Sequence, residues 1–215
     1  MKNDTCYTFA TMIDNFKDAV QELEDLNSTY QMPSDTQGYE EVWLPPDNTV
    51  RMWSVPRTTA EFLKEFVETH KPGLILELGT SSGYSTLFLA AGARTYGGKV
   101  VTIEMAQPKI DIAQKYIDKV GFTEDIEIIQ GKINDVLQTW ERKIDLVFLD
   151  ADKLNYLEYI KRIEPYLNEG AVIIADNAID FGHLMEDYIS YMQESEAYTT
   201  EMLKLDNGLL ISKKV

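Results

Sequence analysis

From Leu74 onward the chain alternates short, almost unbroken apolar runs with stretches in which apolar residues recur every three or four positions. The runs lie at 74–79 (LILELG), 100–104 (VVTIE), 126–130 (IEIIQ), 144–149 (IDLVFL) and 171–175 (AVIIA). Helical spacing occupies 84–95, 108–120, 134–141 and 155–167 between them. Strands that are apolar at nearly every position are buried on both faces, the condition of a parallel sheet covered by helices. The ending departs from this rhythm. A helical stretch near 183–194 precedes YTTEMLKL, Asp206-Asn207-Gly208 and LLISKKV. That pattern predicts two strands joined by a two-residue Asn-Gly turn, so that the sheet closes with an antiparallel strand. The expected fold is α/β: a doubly wound sheet, mostly parallel, with an antiparallel C-terminal strand.

Upstream, residues 9–28 carry an amphipathic pattern that ends in Asn-Ser, predicting a helix. Residues 29–57 hold four prolines and few periodic positions and read as a long loop; loops of this length commonly form lids or binding elements. A short helix follows in TTAEFLKEFVETH, with Thr58 or Thr59 as its expected N-cap and Pro72-Gly73 beyond its end. The expected division is 1–57 as an N-terminal helix and lid segment packed on the same body, and 58–215 as the main domain.

Composition changes the picture in two respects. The net charge is −16, from 36 acidic and 20 basic residues, which opposes binding to nucleic acid or anionic membranes through phosphate contacts. The single cysteine, Cys6, allows no internal disulfide, and no stretch reaches the ~20 apolar residues of a membrane span, so a cytoplasmic protein is expected.

Candidate chemistry gathers at the ends of the strands, where doubly wound sheets bind ligands. The first strand runs into Gly79-Thr-Ser-Ser-Gly83, whose glycines remove side chains where a ligand would approach the backbone. The helix starting at Tyr84–Ser85 offers free N–H groups, and Glu104 ends the next strand, where a carboxylate can accept both hydroxyls of a ribose. The Gly-x-x-x-Gly spacing lacks the middle glycine of a pyrophosphate-binding turn. With the antiparallel last strand, this favours a nucleoside without phosphates, S-adenosylmethionine being the common one. The glycines alone are equally consistent with a tight strand–helix turn.

A second group lies past the fourth and fifth strands: Asp150, Asp152 and Lys153, then Asp176 and Asn177. Asp150, Asp176 and the Asn177 amide are hard oxygen donors suited to Mg²⁺, Mn²⁺ or Ca²⁺ and not to structural zinc. Lys153, three residues from Asp150, is the candidate base, with an amine brought toward neutrality by the cation. Singly, carboxylates at strand ends read as helix caps.

The motifs ELGTSSGYS, VVTIE, FLDADKLNY, ADN and DNGLLISKK together resemble those of the cation-dependent class I O-methyltransferases, the catechol and caffeoyl-CoA family, over about residues 50–215. The resemblance implies a Rossmann-like seven-stranded sheet. It also implies that Val55, Glu77, Gly79, Ser85, Glu104 and Asp150 contact S-adenosylmethionine, with Ile133 lining the adenine pocket. Asp150, Asp176 and Asn177 would hold a divalent cation, and Asp150 and Lys153 would form the catalytic pair. The acceptor would be a small hydroxylated, aromatic molecule, and the protein a homodimer. Two departures bear on the acceptor. Asp152 stands where catechol enzymes carry a bulky aromatic residue, as in the caffeoyl-CoA branch, and Leu210 stands where they carry a carboxylate. Trp43, Pro45, Pro46 and Trp53 are expected to shape the acceptor pocket. A hydroxylated uridine of tRNA is an alternative acceptor. A nucleoside-binding protein without catalysis is a third reading, which gives Lys153 no purpose. His70 and His183 at helix ends read as surface residues, and the tyrosines of YLEYIKRIEPYL as packing faces.

Overall fold

The computed structural model describes residues 4–28 and 52–215, with side chains of the first segment from Ile13. Most of the expected 29–57 loop, including Trp43, Pro45 and Pro46, therefore lies outside the described residues. The elements in chain order are α1 (Asp4–Ser28), α2 (Arg57–His70), β1 (Leu74–Leu78), α3 (Tyr84–Ala93), β2 (Lys99–Glu104), α4 (Gln107–Val120), β3 (Ile126–Gln130), α5 (Ile133–Gln138), β4 (Ile144–Leu149), α6 (Tyr156–Ile163), β5 (Leu167–Ala175), α7 (Glu186–Glu194), β6 (Tyr198–Leu203) and β7 (Leu209–Lys214). The first helix starts earlier than its apolar spacing indicates, and β5 starts four residues before the apolar run at 171.

Seven strands form one sheet in the order β3-β2-β1-β4-β5-β7-β6, parallel except that β7 runs against both its neighbours. Alternation along each strand divides the core into two layers. Ile75, Val100, Phe148 and Ile174 face Leu63, Val67 and Leu87 of α2 and α3. Leu76, Val101, Val147 and Ile173 face Leu137, Ile160 and Met192 of α5, α6 and α7. The N-terminal helix packs on the first layer, with Phe16 edge-on to Phe88 at 5.3 Å between ring centroids. Its Glu24 accepts hydrogen bonds from Arg57 Nε at 2.8 Å and from the Tyr84 hydroxyl. No described helix is long and apolar enough to cross a membrane.

Two local expectations are corrected. The connection between β6 and β7 is a five-residue loop with positive φ at Asp206 and Gly208, not a two-residue Asn-Gly turn. Its backbone is committed elsewhere: the Asn207 carbonyl accepts the N–H groups of Ile179 (3.0 Å) and Asp180 (3.2 Å), and the Gly208 carbonyl that of Ala178 (2.9 Å). The N-cap position of α2 is Pro56, which has no side-chain donor or acceptor for the helix end. Thr58 and Thr59 lie inside the first turn and donate their hydroxyls to Asp206 Oδ2 of that same loop. A carboxylate from the hairpin thus serves the helix end that its own sequence leaves open.

Candidate active site

Parallel pairing puts the carboxyl ends of β1, β2, β4 and β5 on one edge of the sheet. Gly79 leaves β1 with φ +104°, and Gly83 starts α3 with φ +83°, both in the region that favours glycine. The neighbours that exclude a side chain there are protein. A Cβ on Gly79 would lie 2.1 Å from the Asp150 carbonyl oxygen, and one on Gly83 would lie 3.0 Å from Ala113 Cβ. The glycines therefore let the turn nest between the β4 tip and α4, a packing reason for them that the sequence did not reveal.

A cleft of about 420 Å³ opens beside this turn, lined by Gly79, Glu104, Ile133, Asn134, Asp152 and Tyr159 among others. Three residues assigned to the cofactor, Gly79, Glu104 and Ile133, meet here. Glu104 is buried and already engaged. Its Oε1 accepts the N–H groups of Met105 and Ala106, both at 2.9 Å, and its Oε2 that of Ser81, also at 2.9 Å. A carboxylate has about four lone-pair positions. One position, on Oε2, is thus open to a ribose hydroxyl in this conformation, where two were expected.

Val55, Glu77 and Ser85 are not among the residues that line this cleft. Val55 is buried in the segment entering α2, which follows the glycine turn through Trp53 N–H to Ser81 Oγ (3.4 Å) and Ser54 Oγ to Ser82 Oγ (3.3 Å). Glu77 is fully enclosed within β1 and accepts the hydroxyls of Ser85 (2.6 Å) and Thr86. Burial pushes its carboxyl up to about 7 against the opposing pull of those hydrogen bonds. Both hydroxyls belong to the first turn of α3, so Glu77 ties β1 to the start of that helix.

The second group lies at the tips of β4 and β5, which are neighbours in the sheet. Asp150 and Asp176 follow the paired residues Leu149 and Ala175, and Lys153 Nζ donates to Asp150 Oδ1 at 2.8 Å. Burial lowers the Lys153 pKa, but the charge of Asp150 and their hydrogen bond outweigh it and hold the amine above its ordinary range. This direction favours the ammonium where no cation competes for Asp150; the amine near neutrality is expected with the cation bound. Capping, the bland role for these carboxylates, falls to Asp152, which accepts Leu154 N–H at 3.2 Å.

Asp176 is nearly enclosed, and its Oδ1 has no hydrogen-bond partner among the described residues. Burial, and then the neighbouring charge of Asp150, push its carboxyl up to about 7. Asn177 beside it takes φ +65°, a conformation that asparagine tolerates. Two carboxylates that repel one another, one with a buried unpartnered oxygen, and an adjacent amide fit a hard divalent cation. Among the described residues no group of three His, Cys, Asp or Glu side chains surrounds a common point, so a third protein donor here would have to be the amide. Leu210 is fully enclosed in the second core layer and offers no carboxylate at this edge.

Sequence reasoning missed two residues. Asn134 lines the cleft with a buried Oδ1 that has no partner among the described residues, a site for a donor such as an adenine amine. Lys109 of α4 is 3% exposed, 5.6 Å from the Trp53 ring centroid, with a pKa lowered by burial and supported by the charges of Glu104 and Asp150. Its place in a helical pattern gives no sign of this. His70, stacked on Phe66, and His183 are both exposed, as expected.

Residues 44–214 match the family described as O-methyltransferase. A catechol O-methyltransferase of Niastella koreensis is 32% identical over 164 residues, 72% of this chain and 74% of its own. A catechol O-methyltransferase of Mycobacterium tuberculosis is 37% identical over 114 residues, 53% of this chain and 51% of its own. Among solved structures, the O-methyltransferase from Bacillus cereus in complex with SAH superposes with a TM-score of 0.71 at 25% identity, covering 90% of this chain and 97% of that one. The SAH-bound methyltransferase PaMTH1 of Podospora anserina, at 21% identity, a TM-score of 0.71 and coverage of 93% and 96%, shares the fold.

Proposed function

The chain belongs to the O-methyltransferase family, and from that premise we propose that it moves the methyl group of S-adenosylmethionine to a hydroxyl of a small catechol-like or caffeoyl-type acceptor, with a divalent cation at Asp150, Asp176 and Asn177. The observation that carries this reading is the meeting of Lys153, Asp150 and an unpartnered Asp176 oxygen at adjacent strand tips. They lie beside a cleft lined by Gly79, Glu104 and Ile133.

In the reaction the sulfonium C–S bond breaks as the C–O bond forms, the thioether leaves, and the acceptor's hydroxyl proton must go to a base. Glu104 and the cleft would hold the nucleoside half of the donor and so fix its orientation. Lys153 would take the proton from an acceptor held at Asp150, a role its contact with that carboxylate supports. It does so as a neutral amine, which requires the Asp150 carboxylate to be drawn away from it. A bound divalent cation would supply that competing charge and would make the acceptor hydroxyl more acidic. Leu154, 58% exposed beside Lys153, and Ile179, 47% exposed beyond Asn177, give an aromatic acceptor apolar edges to rest on. The −16 net charge disfavours tRNA as the acceptor.

The test is transfer of labelled methyl from S-adenosylmethionine to catechols, caffeoyl-type phenols and undermodified tRNA, with Mg²⁺ or Mn²⁺ and again with chelator. Labelling of a phenol that chelator abolishes is the expected result. Labelling that survives chelator refutes the cation, and labelling of tRNA alone refutes the acceptor class.

A further inference from the structure

We propose that the hydroxyl of Tyr156 is a positioning group that sets the separation of Asp150 and Asp176. The inference rests on the cation-site reading above. Tyr156 opens α6 and is completely buried in the second core layer, where its ring meets that of Tyr188 edge-on at 5.6 Å. Packing accounts for the ring. It does not account for the hydroxyl, which makes two hydrogen bonds to backbone on either side of one residue. The hydroxyl donates to the Leu149 carbonyl at 3.1 Å and accepts the Ala151 N–H at 3.2 Å, so it spans the backbone of Asp150.

The Leu149 carbonyl has a second donor, the N–H of Asp176, at 2.9 Å. One carbonyl oxygen therefore receives both the Tyr156 hydroxyl and the backbone of the other carboxylate residue. The Asp150 turn and the Asp176 turn are tied to a common point by a group that touches neither carboxylate. The same ring lies with its centroid 5.7 Å from Lys153 Nζ, beneath the third member of the group. Loss of the hydroxyl leaves the Ala151 N–H without its partner in a buried setting and frees the turn that aims Asp150. Partners one step removed from metal-binding side chains commonly govern affinity by 10- to 100-fold.

The experiment compares the full-length chain with Y156F and Y188F. Tyr188 is the control, since it is equally buried in the same ring pair but its hydroxyl has no partner among the described residues. Mn²⁺ binding is measured by the paramagnetic resonance signal of the free ion, without donor or acceptor. Binding of SAH is measured by calorimetry, and kcat and KM with Mn²⁺ at saturation. The expected result is that Y156F binds Mn²⁺ about 10-fold or more weakly and loses kcat by a similar factor. Its SAH affinity and KM for the methyl donor stay within twofold, and Y188F matches the wild type throughout. Mn²⁺ affinity of Y156F within threefold of wild type overturns the proposal. So does a parallel loss of SAH binding, which would mean that the hydroxyl supports the whole edge and not the carboxylate pair. A wild-type protein that binds no Mn²⁺ overturns the cation reading itself, and the proposal with it.

Discussion

Lys153 Nζ donates a 2.8 Å hydrogen bond to Asp150 Oδ1, so the residue assigned as base and one assigned to the cation are in direct contact. Their contact pairs the Asp150 charge with that of Lys153, and a cation bound at Asp150 would compete with the lysine for it. What each side chain does is separable by substitution.

Lys153→Met keeps the stem of the side chain and removes the amine. It is expected to lower kcat by about 10²- to 10⁴-fold, the usual contribution of a positioned general base. SAH affinity, measured by calorimetry, stays within twofold because Lys153 does not line the nucleoside cleft. Wild-type turnover in this variant refutes the base assignment.

Glu77 predicts a pH dependence of stability. Its carboxyl is pushed up to about 7 in the fold from an ordinary 4.5. Between those values the folded chain holds a proton that the unfolded chain has released, so stability falls as pH rises through this window. The span corresponds to a loss on the order of 3 kcal/mol. Glu77→Gln keeps an oxygen acceptor for one of the Ser85 and Thr86 hydroxyls, turns its NH2 to the other, and removes the titrating proton. Urea unfolding of this variant at pH 5 and pH 8 is expected to show a smaller difference than the wild type. An unchanged difference sinks the assignment.

Asn134 is expected to read the adenine amine. Asn134→Ala should weaken SAH binding about 5- to 10-fold, in keeping with a lost hydrogen bond in a partly enclosed cleft. The discriminating measurement uses the inosine analogue of SAH, which lacks that amine. Wild type should prefer SAH, and the variant should discriminate less. Equal discrimination by both proteins rules this contact out.

Gly79→Ala is expected to destabilise the fold by at least about 2 kcal/mol, because φ +104° is strained for any side chain and the added carbon meets the Asp150 carbonyl. Thermal unfolding without ligand measures it. A ligand-free stability equal to wild type would mean that the turn relaxes without cost.

The sequence made the sheet legible because buried parallel strands are written as runs of apolar residues, and the site legible because acidic residues sat where those runs stopped. Asp150, Asp176 and Lys153 meet because adjacent strands end together, a fact that strand order alone supplies. What escaped notice depends on partners distant in the chain. Asp206 serves the end of α2 from 147 residues away, and nothing near Thr58 and Thr59 in sequence announces it. The hairpin loop is five residues long because its carbonyls are used by Ile179 and Asp180, a demand that Asn207-Gly208 does not reveal. Tyr156 read as a packing residue, which it is. A helical spacing describes where a ring points and is silent about what its hydroxyl touches.

The strand between β5 and β6 is β7, the last of the seven in chain order. During synthesis β5, which carries Asp176 at its tip, therefore remains an open edge, and β6 has no neighbour at all, until the ribosome has released residues 209–214. The loop that fixes Ala178, Ile179 and Asp180 reaches its place only with that strand. The cleft beside Gly79, lined from the tips of β1, β2, β3 and β4 and the start of α6, takes no residue from that strand. Every residue that lines the cleft is thus made before the strand that closes the sheet beside Asp176, and the last six strand residues to be made are the ones that join β5 to β6.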